Sequence, residues 1–127
     1  MEKEMIKGDI ISIISGKLCA RIPKVDIEYV EQKGRKVIIS AYGREYAFYN
    51  HIDDIVKSLD DQNVYRSLKS LAINFNKVRS IENGRIIFES GAYYGMGRNN
   101  FIKTRQAFKQ YLLNFPPYIG KYVEEEK

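Results

Sequence analysis

Lysine and arginine are the side chains in this sequence whose spacing indicates chemistry, and the chemistry is the binding of anions. Four of them occur between Asp61 and Glu82, an interval without any acid: Arg66, Lys69, Lys77 and Arg79. Because uniformly positive segments attract phosphate groups, the stretch from Tyr65 to Asn74 predicts a surface that packs on the core and faces a polyanion. An edge strand protected by lysine and arginine is the alternative explanation.

Two further basic groups lie elsewhere in the chain. One surrounds a glycine at 33–36, and the other extends from Arg98 to Lys109 without an acid. The acids collect instead near the N-terminus, in the segment 53–61 and in the run Glu124–Glu126. Three separate basic points fit a protein that lies along a duplex and contacts its phosphates, with an affinity that salt weakens. Basic loops that only face solvent would produce the same charge map.

The sequence lacks the residue patterns of catalysis. It has no paired-carboxylate motif, no nucleophile spaced with a histidine and no phosphate-cradling loop, because no lysine-serine element follows the segment 95–99. Glu28 and Glu31 are three residues apart, and strand alternation predicts that they lie on opposite faces. Cys19 and His51 could meet only through the fold. Since a lone histidine is more commonly structural than a metal ligand, we expect neither an enzyme nor a cofactor.

The composition is that of a single globular domain. The chain has 127 residues, 44% of them hydrophobic and 29% charged, with a formal net charge of +5. This length gives one domain with an adequate core, and the positive balance favours a nucleic acid or an acidic surface as partner. Cys19 is the single cysteine, which excludes an internal disulfide and fits a reducing compartment. No apolar run approaches the length of a membrane span and the start does not resemble a signal peptide, so we expect a cytoplasmic protein.

Short alternating segments separated by turns fill the first 49 residues. They predict consecutive antiparallel strands at 9–15, 18–22, 27–31, 36–41 and 45–49. Gly34 allows the positive φ of one of the turns. A later hairpin is expected at Asn83-Gly84, the strongest short turn signal in the chain. In the last predicted strand, at 92–97, Gly95 and Gly97 indicate a bulge or a close backbone approach.

Two helices are expected among these strands. Apolar residues at 52, 55, 56 and 59 form one helical stripe, with Asn50 as the N-cap and acids in the first turn. The second helix would begin at Asn99 or Asn100 and end near Leu113, before a pair of prolines that cannot continue it. The predicted fold class is therefore mainly β with two short helices.

The order and spacing of five segments resemble a known family. They are Ile27-Glu28-Tyr29-Val30-Glu31, the hairpin through Gly34 into Val37-Ile38-Ile39, Phe48-Tyr49 before the first helix, the stretch from Tyr65 to Asn74, and Met96-Gly97-Arg98. In this order they resemble the LytTR-type DNA-binding domain of bacterial transcription regulators. The resemblance covers residues 9–113, which leaves 1–8 as a lead-in and 114–127 as a C-terminal tail. It implies an elongated stack of small antiparallel β-sheets whose loops, rather than a recognition helix, enter successive major grooves.

The sequence departs from the family pattern at four positions. Leu68 stands where the family usually has histidine, and Lys69 where it has arginine or asparagine. Leu71 replaces an aromatic residue, and Gly97 replaces a serine. Binding can survive these changes, but the base sequence read at the central contact does not follow from the resemblance.

The resemblance also implies which residues contact DNA. Arg98 is the first choice for a base contact, because arginine can donate two hydrogen bonds to O6 and N7 of guanine. Lys69, a flexible point donor, would read guanine less strictly or hold a phosphate, and Lys33 and Arg35 supply a third region of base contact. The candidates for phosphate contacts are Arg66, Ser70, Lys77, Arg79, Asn99 and Lys103. Arg66 could equally be tied to a core carboxylate.

The sequence as a whole predicts a sequence-specific binder of double-stranded DNA, a transcription regulator without a receiver domain. The resemblance implies paired direct repeats as the target, two copies of the chain on the DNA (a homodimer) and an inhibitory membrane protein as partner. Two other classes stay open. One is a module that uses its basic face on an acidic protein, and the other is a single-strand or RNA binder that relies on its aromatic residues. Tyr93 or Tyr94 is a further candidate, as a platform on which a base could stack.

Overall fold

The computed structural model describes residues 7–120, which form ten strands in three antiparallel sheets and two α-helices. The strands are β1 (Ile10–Ile14), β2 (Cys19–Pro23), β3 (Ile27–Lys33), β4 (Lys36–Ala41), β5 (Arg44–Tyr49), β6 (Val64–Leu68), β7 (Leu71–Asn74), β8 (Val78–Glu82), β9 (Arg85–Phe88) and β10 (Tyr93–Gly95). The helices are α1 (Ile52–Leu59) and α2 (Arg98–Leu112). The predicted fold class is confirmed, although α2 has 15 residues and is not short.

A five-stranded sheet, in the order β5-β4-β3-β7-β6, is the middle layer of the molecule. Both of its faces are covered, which explains why β7 is buried along its whole length. Successive side chains of its inner strands enter different cores. Val30 and Ala72 point into the first core, whereas Tyr29, Leu71 and Ile73 point into the second.

The first core lies between this sheet, the β1–β2 hairpin and α1. The hairpin contributes Ile11, Ile13 and Ile22, because every second residue of its strands faces inward. From α1, Ile52 and Ile55 are buried, and the partly buried residues 56 and 59 complete the predicted helical stripe. The acidic side of α1 is therefore left on the outside.

The second core lies on the opposite face, under the three-stranded sheet β10-β9-β8 and α2. Aromatic rings dominate it. Tyr29 of the middle sheet packs on Phe88 with ring centroids 5.6 Å apart, and Phe75 meets Phe108 of α2 at 5.2 Å. The small sheet and α2 are thus both held against the same face of the middle sheet.

A buried carboxylate joins the middle sheet to the three-stranded sheet. Glu28 in β3 is 2% exposed. Its oxygens accept hydrogen bonds from Ser40 Oγ at 2.7 Å, from the Gly43 amide at 3.1 Å and from Ser90 Oγ, which lies between β9 and β10. A buried carboxylate requires such partners because it has lost its hydration, so Glu28 fixes how the two sheets dock.

A β-bulge at Glu28 overturns one prediction from the sequence. The register between β3 and β4 shifts between Ile27 and Tyr29, and Glu28 is the extra residue. Farther along β3, Glu31 accepts a hydrogen bond from Tyr94 Oη at 2.5 Å. Both carboxylates therefore bind the three-stranded sheet, and the prediction of opposite faces was wrong because a bulge interrupts strand alternation.

Both helices begin at other residues than the sequence predicted. His51, not Asn50, caps α1, and its Nδ1 accepts a hydrogen bond from the Asp53 amide at 3.1 Å. Asn50 instead accepts one from the His51 amide at 2.7 Å. Helix α2 begins at Arg98 rather than after an asparagine cap, and Gly97 occupies the cap position with no side-chain bond. Arg98 is therefore the first helical residue and not part of a loop.

The glycine predictions divide in two. Asn83 and Gly84 have φ angles of 54° and 76° and join β8 to β9 in a two-residue turn, which confirms the predicted hairpin. Gly95 and Gly97 have no atom within 4 Å of the place a Cβ would take, and β10 pairs with β9 in regular register. The prediction of a bulge or a close backbone approach at these two glycines was therefore wrong.

We expect Glu28→Gln to lower the free energy of unfolding by about 2 kcal/mol, because it removes charge-assisted hydrogen bonds from a buried site. Urea denaturation followed by circular dichroism measures this difference. Glu82→Gln, at an exposed carboxylate of β8, is the matched control and should change it by less than about 0.5 kcal/mol. Equal effects of the two substitutions would contradict the role assigned to Glu28.

Candidate nucleic-acid interface

The stretch 65–74, which the sequence marked as one basic and apolar segment, is a hairpin. Strands β6 and β7 pair around the turn Lys69-Ser70, with Leu68 opposite Leu71. Strand β6 is an edge of the middle sheet, as the alternative explanation required, whereas β7 is an inner strand. Lys69 lies in this turn, at the end of the sheet, and is exposed.

Arg66 holds the backbone of this turn in place. Its Nε donates to the Leu68 and Lys69 carbonyl oxygens at 3.1 and 3.2 Å, and its Nη2 donates to the Lys69 oxygen at 2.5 Å. The same Nη2 donates to Asp53 Oδ1 in α1 at 2.8 Å. This hydrogen bond lowers the pKa of the Asp53 carboxyl below its ordinary value. The guanidinium is thus occupied by partners within the chain, but its carboxylate partner is the exposed Asp53 and not the core carboxylate that the sequence analysis had considered.

The turn between β3 and β4 lies at the same end of the sheet. The Gln32 amide donates to the Ser70 oxygen at 2.9 Å, which joins this turn to Lys69-Ser70. The Gln32 side chain donates to the Gly34 and Asn50 oxygens at 3.0 and 3.1 Å and accepts from the Ile52 amide at 2.7 Å. One glutamine therefore fixes both basic turns and the start of α1 relative to one another.

Helix α2 brings Arg98 to this end as well. Ser67 Oγ lies 3.0 Å from Oγ1 of Thr104, which is fully buried, so the middle of α2 is level with the end of β6. Deeper in the core, Phe75 contacts both Tyr65 and Tyr111. The chain directions of α2 and β6 are therefore opposite, and the N-terminus of α2 lies toward Lys69. Six helical residues span about 9 Å and two strand residues about 7 Å, so we infer that Arg98 lies level with the Lys69 turn.

A second contact positions Arg98 from the side of β10. Tyr94, four residues before it, donates its hydroxyl hydrogen to Glu31, and Glu31 is two residues from Lys33. Burial, followed by the hydrogen bond to Glu31, raises the pKa of Tyr94 far above its ordinary value. The phenol therefore stays protonated and keeps donating at physiological pH.

The electrostatics of this end favour an anion. Within residues 7–120, five of the predicted contact side chains are exposed and make no hydrogen bond, ion pair or ring contact: Arg35, Lys69, Arg98, Asn99 and Lys103. Lys33 is 4.0 Å from Glu31, a distance that gives only a weak ion pair at an exposed site. Two nearby carboxylates are already engaged, Asp53 by Arg66 and Glu31 by Tyr94. We call this surface the basic end.

Two of the predicted phosphate contacts lie elsewhere. Lys77 Nζ is 3.9 Å from Glu89 and faces the ring of Tyr42, which belongs to the turn at the opposite end of β4. Arg79 donates to the Glu89 carbonyl oxygen at 2.8 Å. Glu28 lies near this second group, because it accepts a hydrogen bond from the Gly43 amide, next to Tyr42. The five residues of β3 from Glu28 to Lys33 span roughly 16 Å. The structure therefore separates Lys77 and Arg79 from the basic end.

Residues 7–120 also bear on metal binding, membrane insertion and base stacking. No group of three or more His, Cys, Asp or Glu in that part of the chain could hold a metal ion. None of the helices described there is long and apolar enough to cross a bilayer. Of the two tyrosines considered for base stacking, Tyr94 is engaged with Glu31, while Tyr93 is exposed and lies under the Arg85 guanidinium.

Sequence reasoning missed the residues that organise the basic end rather than those that could contact a ligand. Gln32 is a polar residue near a turn, and no local sequence pattern predicts the four hydrogen bonds that its side chain makes. In the sequence, Asp53 was explained only as an acid that the dipole of α1 favours in its first turn. In the structure it also forms an ion pair with Arg66. The pairing of Ser67 with Thr104 joins residues 37 apart and requires the tertiary fold.

We expect the Asp53 carboxyl to titrate at a lower pH in the native protein than in Arg66→Ala, because the substitution removes the hydrogen bond that lowers its pKa. A carboxyl whose folded pKa is lowered contributes stability above its ordinary value of about 4, and that contribution is lost as the pH falls through the folded pKa. Carbon-detected NMR of the Asp53 side chain measures both midpoints. Arg79→Ala, at the other end of the molecule, should leave the midpoint unchanged. Identical midpoints in the native protein and Arg66→Ala would contradict the clamp.

Comparisons with known proteins agree with this architecture. The family model of the LytTr DNA-binding domain matches residues 19–109, which include both basic turns and the start of α2. A solved LytTr DNA-binding domain from Bacillus cereus has the same fold, with a TM-score of 0.59 and 14% sequence identity, over 84% of this chain and 98% of that chain. No curated protein matches. Because the family match extends over most of the chain, this protein belongs to the LytTr DNA-binding domain family.

Proposed function

We propose that this protein is a sequence-specific binder of double-stranded DNA whose basic end enters the major groove. Family membership supports DNA binding and transcription regulation. The observation that carries the finer proposal is the placement of the Lys69 turn, the Lys33–Arg35 turn and Arg98 at one end of one sheet. A duplex presents its base edges in the wide groove between two rows of phosphates, and a protein end that carries exposed cations is suited to it.

Arg98 is our assignment for the principal base contact. It is the first residue of α2, it is exposed, and no partner among residues 7–120 competes for its guanidinium. Its backbone is fixed by the helix behind it and by β10 before it, so its side chain alone must be ordered on binding. A guanidinium so presented can donate two parallel hydrogen bonds to guanine, which discriminate by about 1–3 kcal/mol.

Lys69, Lys33 and Arg35 are assigned to the neighbouring bases. Lys69 is exposed at the tip of a turn whose backbone Arg66 already holds. Its single ammonium reads guanine less strictly than a guanidinium does or binds a phosphate. Arg35 projects from the adjacent turn, and Lys33 competes only weakly for Glu31.

The phosphate contacts fall into two groups. Ser70, Asn99 and Lys103 surround the basic end and would bind the backbone beside the groove. Lys77 and Arg79 form the second group, and a duplex that extends along the molecule would reach them there. For Arg66 a phosphate contact stays a prediction, and its bonds within the chain support a role in holding the turn.

The remaining proposals concern assembly and location. We infer two copies on paired direct repeats and restraint by an inhibitory membrane protein from the family resemblance, and a cytoplasmic location because DNA is the proposed ligand. The geometry of the basic end supports only the first of these, and only indirectly, because four candidate base contacts read few bases and a second copy would read the rest.

We expect Arg98→Ala to lower the affinity for the preferred duplex by about 5- to 100-fold while leaving binding to scrambled duplex almost unchanged. The preferred duplex is first selected from a random pool, and fluorescence anisotropy then measures both affinities. Arg21→Ala, at an exposed arginine of β2, is the charge-matched control and should preserve the ratio of the two affinities. An unchanged ratio in Arg98→Ala would contradict the base contact.

We expect Lys77→Ala to weaken binding to every duplex alike, because a phosphate contact carries no sequence information. In a salt titration the slope of log affinity against log salt should fall by about one for this variant. An altered choice of bases would contradict the phosphate assignment. Preference of the native protein for single strands, RNA or an acidic protein over all duplexes would contradict the proposed function itself.

A further inference from the structure

We propose that Leu68 contacts the C5-methyl group of a thymine and so adds a base preference that the cations cannot supply. This inference rests on the proposed function, since it requires that the basic end enter the major groove. The side chain of Leu68 has no hydrogen-bonding group, and the thymine methyl group can be removed from the DNA without changing base pairing.

The first observation is the exposure of an apolar side chain in a basic setting. Leu68 is the last residue of β6 and is 46% exposed. Its chain neighbour is Lys69, and α2 begins with Arg98 at the same end of the sheet. Hydration of an exposed leucine side chain is unfavourable, whereas hydration of each of the surrounding cations is favourable. A ligand that offers both anionic oxygens and one apolar group would satisfy the whole surface.

The second observation is the direction in which the side chain points. The pairing of β6 with β7 shifts between Arg66 and Leu68, so Ser67 is the extra residue of a bulge. Leu68 is therefore opposite Leu71, and residues opposite each other in an antiparallel pair share a face. Leu71 belongs to the core beneath α2. The bulge thus turns Leu68 to the side on which Arg98 lies.

The third observation is that the backbone under Leu68 is fixed on both sides. Its carbonyl oxygen accepts a hydrogen bond from Arg66 Nε at 3.1 Å. The preceding residue, Ser67, is bonded at 3.0 Å to the buried Thr104. A contact made by a side chain on a fixed backbone loses little conformational entropy on binding, so even a single methyl contact contributes to affinity.

The chemistry of the major groove then selects the partner. Adenine, guanine and cytosine present hydrogen-bond donors and acceptors there, and thymine alone adds a methyl group. Leucine would leave a donor or acceptor without water and without a partner, which is unfavourable. Contact with the thymine methyl buries apolar surface on both molecules and avoids that loss. Leu68 should therefore favour thymine at the position it faces.

The test replaces each thymine of the selected duplex, one at a time, by deoxyuridine, which pairs identically and lacks the methyl group. For the native protein we expect one position at which the replacement weakens binding about fourfold, the effect of burying one methyl group. For Leu68→Ala the same replacement should have no effect. The two substitutions form a double-mutant cycle, so changes in DNA stiffness caused by the missing methyl cancel.

Val25→Ala is the matched control, because Val25 is 71% exposed and lies before β3, at the end of the sheet away from Lys33. It should keep the native sensitivity to deoxyuridine. The inference is overturned if no thymine is sensitive in the native protein, or if Leu68→Ala retains the native sensitivity. Neither result contradicts the proposed function. The proposed function is contradicted by a different result, namely that the native protein prefers no duplex.

Discussion

The docking of the three-stranded sheet on the middle sheet is the interaction on which the rest of the structure depends. Glu28 and Glu31, both in β3, bind Ser90 and Tyr94 on either side of the start of β10. Because Arg98 follows Tyr94 by only four residues, these bonds determine where α2 begins.

The cations of this protein serve two purposes, and their partners distinguish them. Arg66 spends its donors on two carbonyl oxygens and on Asp53, and this arrangement shapes the turn without facing a ligand. The side chains of Lys69 and Arg98 are exposed and have no partner in the part of the chain that the structure describes. Exposed ion pairs contribute little to stability, so the value of Arg66 lies in the geometry it imposes on Lys69.

Much of the fold could be predicted from the sequence, because the strands alternate clearly and α1 has a clean apolar stripe. Asn83-Gly84 likewise determined its turn, since both residues tolerate positive φ. What could not be predicted depended on tertiary contacts. The bulge at Glu28 reverses the direction of a side chain, and no local pattern marks it. The N-caps of both helices were also mispredicted. His51 and Gly97 are the N-caps, but asparagines close to them in the sequence are more favourable capping residues.

The candidate site followed the same division. The basic groups were visible in the sequence because charge is a local property, but their distribution in space was not. The sequence treated 66–79 as one cluster, whereas the structure places Lys69 at the basic end and Lys77 beside Glu89, at the other end. Pairings such as Ser67 with Thr104 join distant segments and become apparent only in three dimensions.

The central claim is that one end of the middle sheet binds the duplex, and amide NMR on titration with the selected duplex tests it most directly. The account predicts that the largest shift changes fall on Arg35, Lys69 and Arg98 and that raising the salt concentration reduces them together. Changes concentrated instead around Val25 and the β1–β2 hairpin, with these three amides unmoved, would contradict it.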